Sequence, residues 1–395
     1  MNALARHLPR LRVPWVALGA WPTPVTALVL DGKPVWVKLE GEAHPRYGGN
    51  KIRTLEVWLG HAQARGARRI WAIGAYGSNH AVATVVHAPA AGLDAGAMVF
   101  PQPYSAWAAE NCGALVASGC PLIRLANVVQ VPFAAWRLAR REPEAVVMPP
   151  GGATPIGTFG AMSAALELAD QIAAHEAPPP ARIVLAVGSI CTAAGLVAGL
   201  ALAESLGVWR WPVPIVHGVR VTPWPVTSRV RTADLARRTL NRVEQLGGPR
   251  VPISLRGLIS RLVIDRHELG RGYGRPTPAS AAATAAFAAA THAVGAATEA
   301  FDAAPHAEPM RDRVVADEAR GVGGLHLEAA APAPRARLDG VYAAKAAAAL
   351  LRLHRAGVGP LVFWSSKSTA TLAPPTAAQL AVAPPAIARW LTREV

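Results

Sequence analysis

Lysine is nearly missing from this chain of 395 residues: Lys33, Lys38, Lys51, Lys345 and Lys367 are the five present among 40 basic residues, and the others are arginine. Cysteine is scarcer still. Cys112, Cys120 and Cys191 are too few and too oddly numbered for a disulfide framework, and no Cys-x-x-Cys pair offers zinc ligands. A reducing, cytoplasmic setting without a metal centre is the expectation. Charged residues make up 16% of the sequence against 52% hydrophobic, which excludes a disordered polyelectrolyte and predicts a sizeable core, in two domains or one large one. Acidic residues are outnumbered, giving a net charge of +15. The arginines are nevertheless spread along the chain, with no dense basic run interleaved with aromatics, so no nucleic-acid partner is expected. Attraction of small anions or a compositional bias accounts for the charge equally well. Residues 1–14 lack the apolar stretch of a signal peptide, no internal repeat is visible, and export is not expected. One uncharged run, 183–203, has the length of a membrane span. Gly188, Ser189, Thr192, Gly195 and Gly199 interrupt it, and a buried parallel strand running into a buried helix has the same hydropathy. That second reading is preferred, with no membrane partner.

What is present sharpens around Lys51, in Gly-Gly-Asn-Lys-Ile-Arg at 48–53. A lysine retained in an arginine-rich chain offers an amine that can lose its proton and attack a carbonyl, which a guanidinium cannot do; the alternative is a solvated lysine at a helix start. Two further segments bear on it. Residues 70–80, Ile-Trp-Ala-Ile-Gly-Ala-Tyr-Gly-Ser-Asn-His, and residues 182–196, ending in Gly-Ser-Ile-Cys-Thr-Ala-Ala-Gly-Leu, each read as a strand, a tight turn and a helix. Such turns aim free N–H groups and a helix N-terminus at one spot, which suits an anion. One lysine and two anion cradles suit a phosphorylated cofactor and a substrate with a carboxylate. Strand-like runs at 35–39, 70–73, 97–100, 183–187, 215–221 and 361–364 alternate with Ala/Leu-rich helical segments, the pattern of an α/β fold with parallel sheets covered by helices.

The motifs at 48–56, 77–80, 149–157 (Pro-Pro-Gly-Gly-Ala-Thr-Pro-Ile-Gly), 188–195, 272–277 (Gly-Tyr-Gly-Arg-Pro-Thr) and 338–346 (Leu-Asp-Gly-Val-Tyr-Ala-Ala-Lys-Ala) together resemble the D-cysteine desulfhydrase and 1-aminocyclopropane-1-carboxylate deaminase family, from about Trp21 to the C-terminus. These are pyridoxal-phosphate enzymes of the tryptophan-synthase-β type, fold type II. The resemblance implies two open, mainly parallel twisted sheets: a large cofactor-binding domain at 1–54 and 169–395, and an inserted small domain at 55–168 carrying the substrate-carboxylate loop. Within 278–334 an Ala-rich helix and a partly disordered surface insertion are expected.

By the same resemblance Lys51 holds pyridoxal 5′-phosphate covalently and moves the proton at Cα, while Asn50 bonds the cofactor's phenolic oxygen or merely favours the turn. Gly188, Ser189, Thr192, Ala193 and Gly195 cradle the phosphate. Cys191 stands where the family usually has another glycine, which restricts the approach of the backbone there. Ser366 meets the ring nitrogen, where desulfhydrases carry Thr and deaminases an acidic residue. Ser78 and Asn79 hold the substrate carboxylate, cap the helix, or do both. His80 matches the desulfhydrase version of the motif, the deaminases having Gln. Tyr342 and Tyr273 line the site and offer a phenolic proton, or pack in the core. The activity implied is carbon–sulfur β-elimination from a small amino acid by a homodimer. Cyclopropane-carboxylate deamination, racemisation, or a non-catalytic cofactor-binding homologue, suggested by Cys191, Lys367 and the insertion, are the alternatives.

Overall fold

The computed structural model describes residues 2–292 and 336–393. Two sheets organise them. The larger has the order β10-β1-β2-β11-β7-β8-β9, and the smaller β5-β4-β3-β6. In the smaller, β3 (Arg69–Ala75), β4 (Asp94–Phe100), β5 (Leu122–Arg124) and β6 (Ala145–Val147) are all parallel. In the larger, β2 (Lys33–Leu39), β11 (Leu361–Ser365), β7 (Arg182–Val187), β8 (Ile215–Arg220) and β9 (Leu262–Asp265) are parallel, and β1 (Val25–Leu30) and β10 (Thr291–His292) add an antiparallel edge. All six expected strand runs are found. The hairpin joining β1 to β2 turns on Asp31 and Gly32, at φ of 48° and 76°, the left-handed pair that matches the twist of a two-residue turn.

The uncharged run 183–203 divides as expected into β7 and the helix α7 (Cys191–Ser205), and among the described residues no helix is long and apolar enough to cross a membrane. α7 is buried because it packs on α6 (Phe159–Ala173) through small residues: a Cβ on Gly195 would lie 2.5 Å from Ala161 Cβ, and one on Gly199 2.6 Å from Ala165 Cβ. Close backbone approach of this kind tolerates nothing larger.

The expected boundary at residue 168 falls inside α6, whose buried side chains from Phe159 to Ile172 join the core of the larger sheet. Leu55, Trp58 and Leu59 of α2 (Lys51–Ala64) instead enter the core of the smaller sheet, which Ile387 and Trp390 of the C-terminal helix also cover. Of the expected insertion, the Ala-rich helix is present at Pro278–Ala289, opened by a capping box on Thr277; residues 293–335, and the disorder expected there, lie outside the described residues.

Candidate active site

The C-terminal ends of β3, β7 and β11 point into one cavity of about 480 Å³ between the two sheets. Ligand sites in open α/β sheets form at such ends. Lys51 enters it from the first position of α2. The loop before it must pass tightly under β11, and its glycines permit this: a Cβ on Gly49, at φ 96°, would stand 2.7 Å from Ser366 O, and one on Gly48 2.0 Å from Gly41 O. Two residues on, Arg53 is clamped between Glu40, at 2.7 Å, and Glu167, at 2.7 Å, while Lys38 bonds Glu167 at 2.6 Å. Two cations thus face two carboxylates out of solvent, each hydrogen-bonded to its partner, the arrangement in which buried charge is tolerable. This network pins the start of α2 and so the root of Lys51.

The lysines separate by partner. Lys38 is in the ion network, Lys345 donates to Leu269 O and Lys367 to two asparagine oxygens. Lys33 is exposed. Lys51 lines the cavity with no hydrogen-bond or ion-pair partner among the described residues. Burial pushes its pKa below that of an ordinary lysine, with only the Cys191 thiol acting the other way.

The second anion cradle lies at the start of α7. The amides of Cys191, Thr192 and Ala193 precede the first intrahelical bond, which Ala194 N makes to Ile190 O. The Ser189 and Thr192 side chains border the same space, and Asn50 Nδ2 donates to Thr192 Oγ1 at 2.9 Å. The concern about Cys191 moves one residue. Cys191 is helical, its thiol turned toward Gly152 O at 3.6 Å, and the left-handed backbone falls on Ile190, at φ 63°. A β-branched residue there is strained, and the strain sits in the turn that aims these amides at the cavity.

At the end of β3, Ser78 is the N-cap of α3 (Asn79–His87), its Oγ accepting from Ala81 N at 3.2 Å. Among the described residues the amides of Asn79 and His80 have no hydrogen-bond partner, and both residues line the cavity. His80 is 2% exposed, and neither ring nitrogen has a partner among the described residues. Burial, and then the Lys51 charge, push its pKa down to about 3, so the ring is neutral. Tyr273 and Tyr342, which also line the cavity, share a phenol–phenol hydrogen bond. Burial pushes Tyr273 up to about 12 and Tyr342 well above the usual value, so both stay protonated at neutral pH.

Lys51, Asn50, Ser78, Asn79, His80, Gly188, Ser189, Thr192, Ala193, Ser366, Tyr273 and Tyr342 therefore line one cavity. Gly195 does not. It lies a turn further along α7 against Thr158 O and Ala161, where its lack of a side chain serves helix packing. Sequence reasoning gave no role to Gly151, although the Pro-Pro-Gly-Gly motif marks it. At φ 66°, a Cβ there would lie 2.1 Å from Ser189 Oγ and 3.5 Å from Lys51 Nζ. Thr222, Phe100, Val128 and Val226 also line the walls and carry no motif.

A family model described as "Pyridoxal-phosphate dependent enzyme" matches residues 16–316. The chain belongs to that enzyme family. Its members depend on pyridoxal phosphate, and the residues present fit the group: an unpaired amine, a hydroxyl-lined helix start for the phosphate, and a buried histidine lacking partners. A nocardicin C-9′ epimerase from Nocardia uniformis subsp. tsuyamanensis is 37% identical over 198 residues, 48% of this chain and 59% of the relative. A D-cysteine desulfhydrase from Salmonella paratyphi C is 32% identical over 205 residues, 48% of this chain and 61% of the relative. The matched stretch thus spans about three fifths of these relatives. A solved homologue of 1-aminocyclopropane-1-carboxylate deaminase superposes with a TM-score of 0.64 at 24% identity, covering 94% of this chain and 96% of that one, a likeness of fold.

Proposed function

We propose that this pyridoxal-phosphate dependent enzyme is a lyase of the D-cysteine desulfhydrase type, removing a β-substituent from a small amino acid to give a 2-oxo acid, ammonia and the leaving group. The observation that carries the reading is the unpaired Lys51 amine and the protonated Tyr273–Tyr342 pair in one cavity, a base and an acid for the two ends of an elimination. When bound, pyridoxal phosphate supplies the electron sink for negative charge developing at Cα. Lys51, its proton affinity lowered by burial, takes the proton from Cα. Ser78, Asn79 and the free amides of Asn79 and His80 hold the carboxylate. A phenol of the tyrosine pair gives its proton to sulfur as the Cβ–S bond breaks; with D-cysteine and one water the products are pyruvate, hydrogen sulfide and ammonia. Asn50, Gly188, Ser189, Thr192 and Ala193 would hold the cofactor, with Ser366 as the residue for its ring nitrogen. A hydroxyl in that role would leave the nitrogen unprotonated, which suits a substrate with a good leaving group.

Ser366 and His80, standing where a deaminase has an acidic residue and Gln, disfavour cyclopropane-carboxylate deamination. Epimerisation at Cα is the second reading. It is favoured by the neutral, partnerless His80 on the same cavity as Lys51, which offers a second proton carrier, and by the name of the epimerase relative. We also propose a homodimer with a small domain around the smaller sheet, working in the cytoplasm; the three free thiols support a reducing compartment.

The test is a panel of D- and L-amino acids with the cofactor-loaded protein in deuterated water. Release of a 2-oxo acid and ammonia from D-cysteine supports the lyase. Deuterium entering Cα with no release supports the epimerase. A yellow protein inert in both assays would refute catalysis altogether.

A further inference from the structure

Lys367 is 1% exposed and takes no part in the chemistry above, yet it stands directly behind the carboxylate loop. Its ammonium donates to Asn79 Oδ1 at 3.1 Å and to Asn111 Oδ1 at 3.1 Å. Asn111 Nδ2 spends its two hydrogens on Gly77 O, at 2.9 Å, and Asn79 Oδ1, at 2.8 Å, and Tyr47 Oη gives a third donor to Asn79 Oδ1 at 2.9 Å. An ammonium can only donate and a backbone carbonyl can only accept, so the Asn111 amide has one possible orientation. Asn79 is then held the same way twice over, by Lys367 and by Asn111. Flipping its amide would set an NH2 group against two groups that can only donate, the Lys367 ammonium and Asn111 Nδ2, since the Tyr47 hydroxyl can also accept. With Oδ1 saturated, Nδ2 donates to no other described residue, and Asn79 lines the cavity.

The charge is as telling as the hydrogen bonds. Both direct partners of the ammonium are neutral oxygens. Asp339 and Glu110 are within electrostatic reach, but Glu110 is paired with Arg337 at 3.1 Å and Asp339 Oδ1 accepts from Val341 N and Tyr342 N. Neither forms an ion pair with Lys367. Burial outweighs these two distant carboxylates and lowers the lysine's pKa, so a further anion coming near would stabilise its charge.

We propose that Lys367 is a positioning residue for the substrate carboxylate: it fixes the Asn79 amide so that Nδ2 faces the cavity, and sets a buried positive charge behind the place where the carboxylate binds. This rests on the reading that Ser78 and Asn79 receive that carboxylate. The probe is glycine against ethanolamine, which share an amine and have no handedness, but only glycine carries a carboxylate. Each is titrated into the cofactor-loaded protein and followed by the cofactor's visible absorbance, for the unaltered protein, Lys367→Met, Asn79→Ala and the double variant. Lys367→Met should weaken glycine roughly tenfold or more, the loss of one hydrogen bond to a charged group, and leave ethanolamine within about twofold. In the Asn79→Ala background the hydrogen-bonded part of that loss should vanish, so the two effects should not add. Lys367→Gln keeps a donor without the charge and should fall between; it is read in the same way if the Met variant does not fold. Equal weakening of glycine and ethanolamine, or full additivity, would overturn the positioning role. Asn79→Ala that weakens glycine beside a Lys367→Met that does not would overturn it alone, whereas Asn79→Ala with unchanged glycine affinity removes the carboxylate reading and the proposal together.

Discussion

Replacing Ser78 by alanine separates two jobs that one hydroxyl performs. Ser78 Oγ accepts from Ala81 N, so its lone pair caps α3, while its proton remains free to donate. Loss of a serine N-cap lowers stability by about 0.5–2 kcal/mol. Loss of a hydrogen bond to a carboxylate costs about 1.5–3 kcal/mol, roughly a tenfold to hundredfold fall in kcat/KM. Ser105 provides the internal control: it caps α4 (Ala106–Ala117) in the same way, accepting from Ala108 N at 3.2 Å, and does not line the cavity. Ser105→Ala and Ser78→Ala should lower the melting temperature by similar amounts, and only the second should depress kcat/KM for D-cysteine while retaining bound cofactor. Ser78→Ala with kinetics indistinguishable from Ser105→Ala would dismiss the carboxylate role and leave Ser78 a helix cap.

Borohydride reduction of the cofactor-loaded protein should leave a peptide adduct on Lys51, because it is the cavity lysine without a partner; an adduct on Lys38, Lys345 or Lys367 would sink the assignment. Gly195→Ala should lower the denaturation midpoint by an amount equivalent to about 1–3 kcal/mol, the cost of overpacking, since the new methyl would meet Thr158 O at 2.6 Å; an unchanged midpoint with lost cofactor would return Gly195 to the phosphate site. Burial alone would raise the Glu167 carboxyl, but Arg53 and Lys38 outweigh it and hold it at about 2. The folded state therefore binds this proton less tightly than the unfolded chain, and its contribution, present above the ordinary carboxylate range, should fade as pH falls toward 2. Urea midpoints measured from pH 6 downward should drop more steeply than in Glu167→Gln; parallel curves would contradict this.

Apolar runs bounded by glycine or proline placed six strands, because a strand buried on both faces needs a largely apolar stretch. The scarcity of lysine singled out Lys51, and Ser-Asn-His after β3 marked a helix start, because capping chemistry is local. β1 went unread although Asp31-Gly32 between apolar runs announces a hairpin, and β5, β6, β9 and β10, of two to four residues, are too short to carry a period. Tertiary structure alone decided the rest. Gly195 looks like part of the phosphate turn until α6 is seen against it. The left-handed residue of that turn is Ile190, which no propensity would select. Arg53 meets Glu167, and Lys367 meets Asn79 and Asn111, across more than a hundred residues of chain. Local sequence dictates backbone preference and burial pattern, both short-range properties, whereas which charge faces which amide depends on how two sheets distant in sequence close over one cavity.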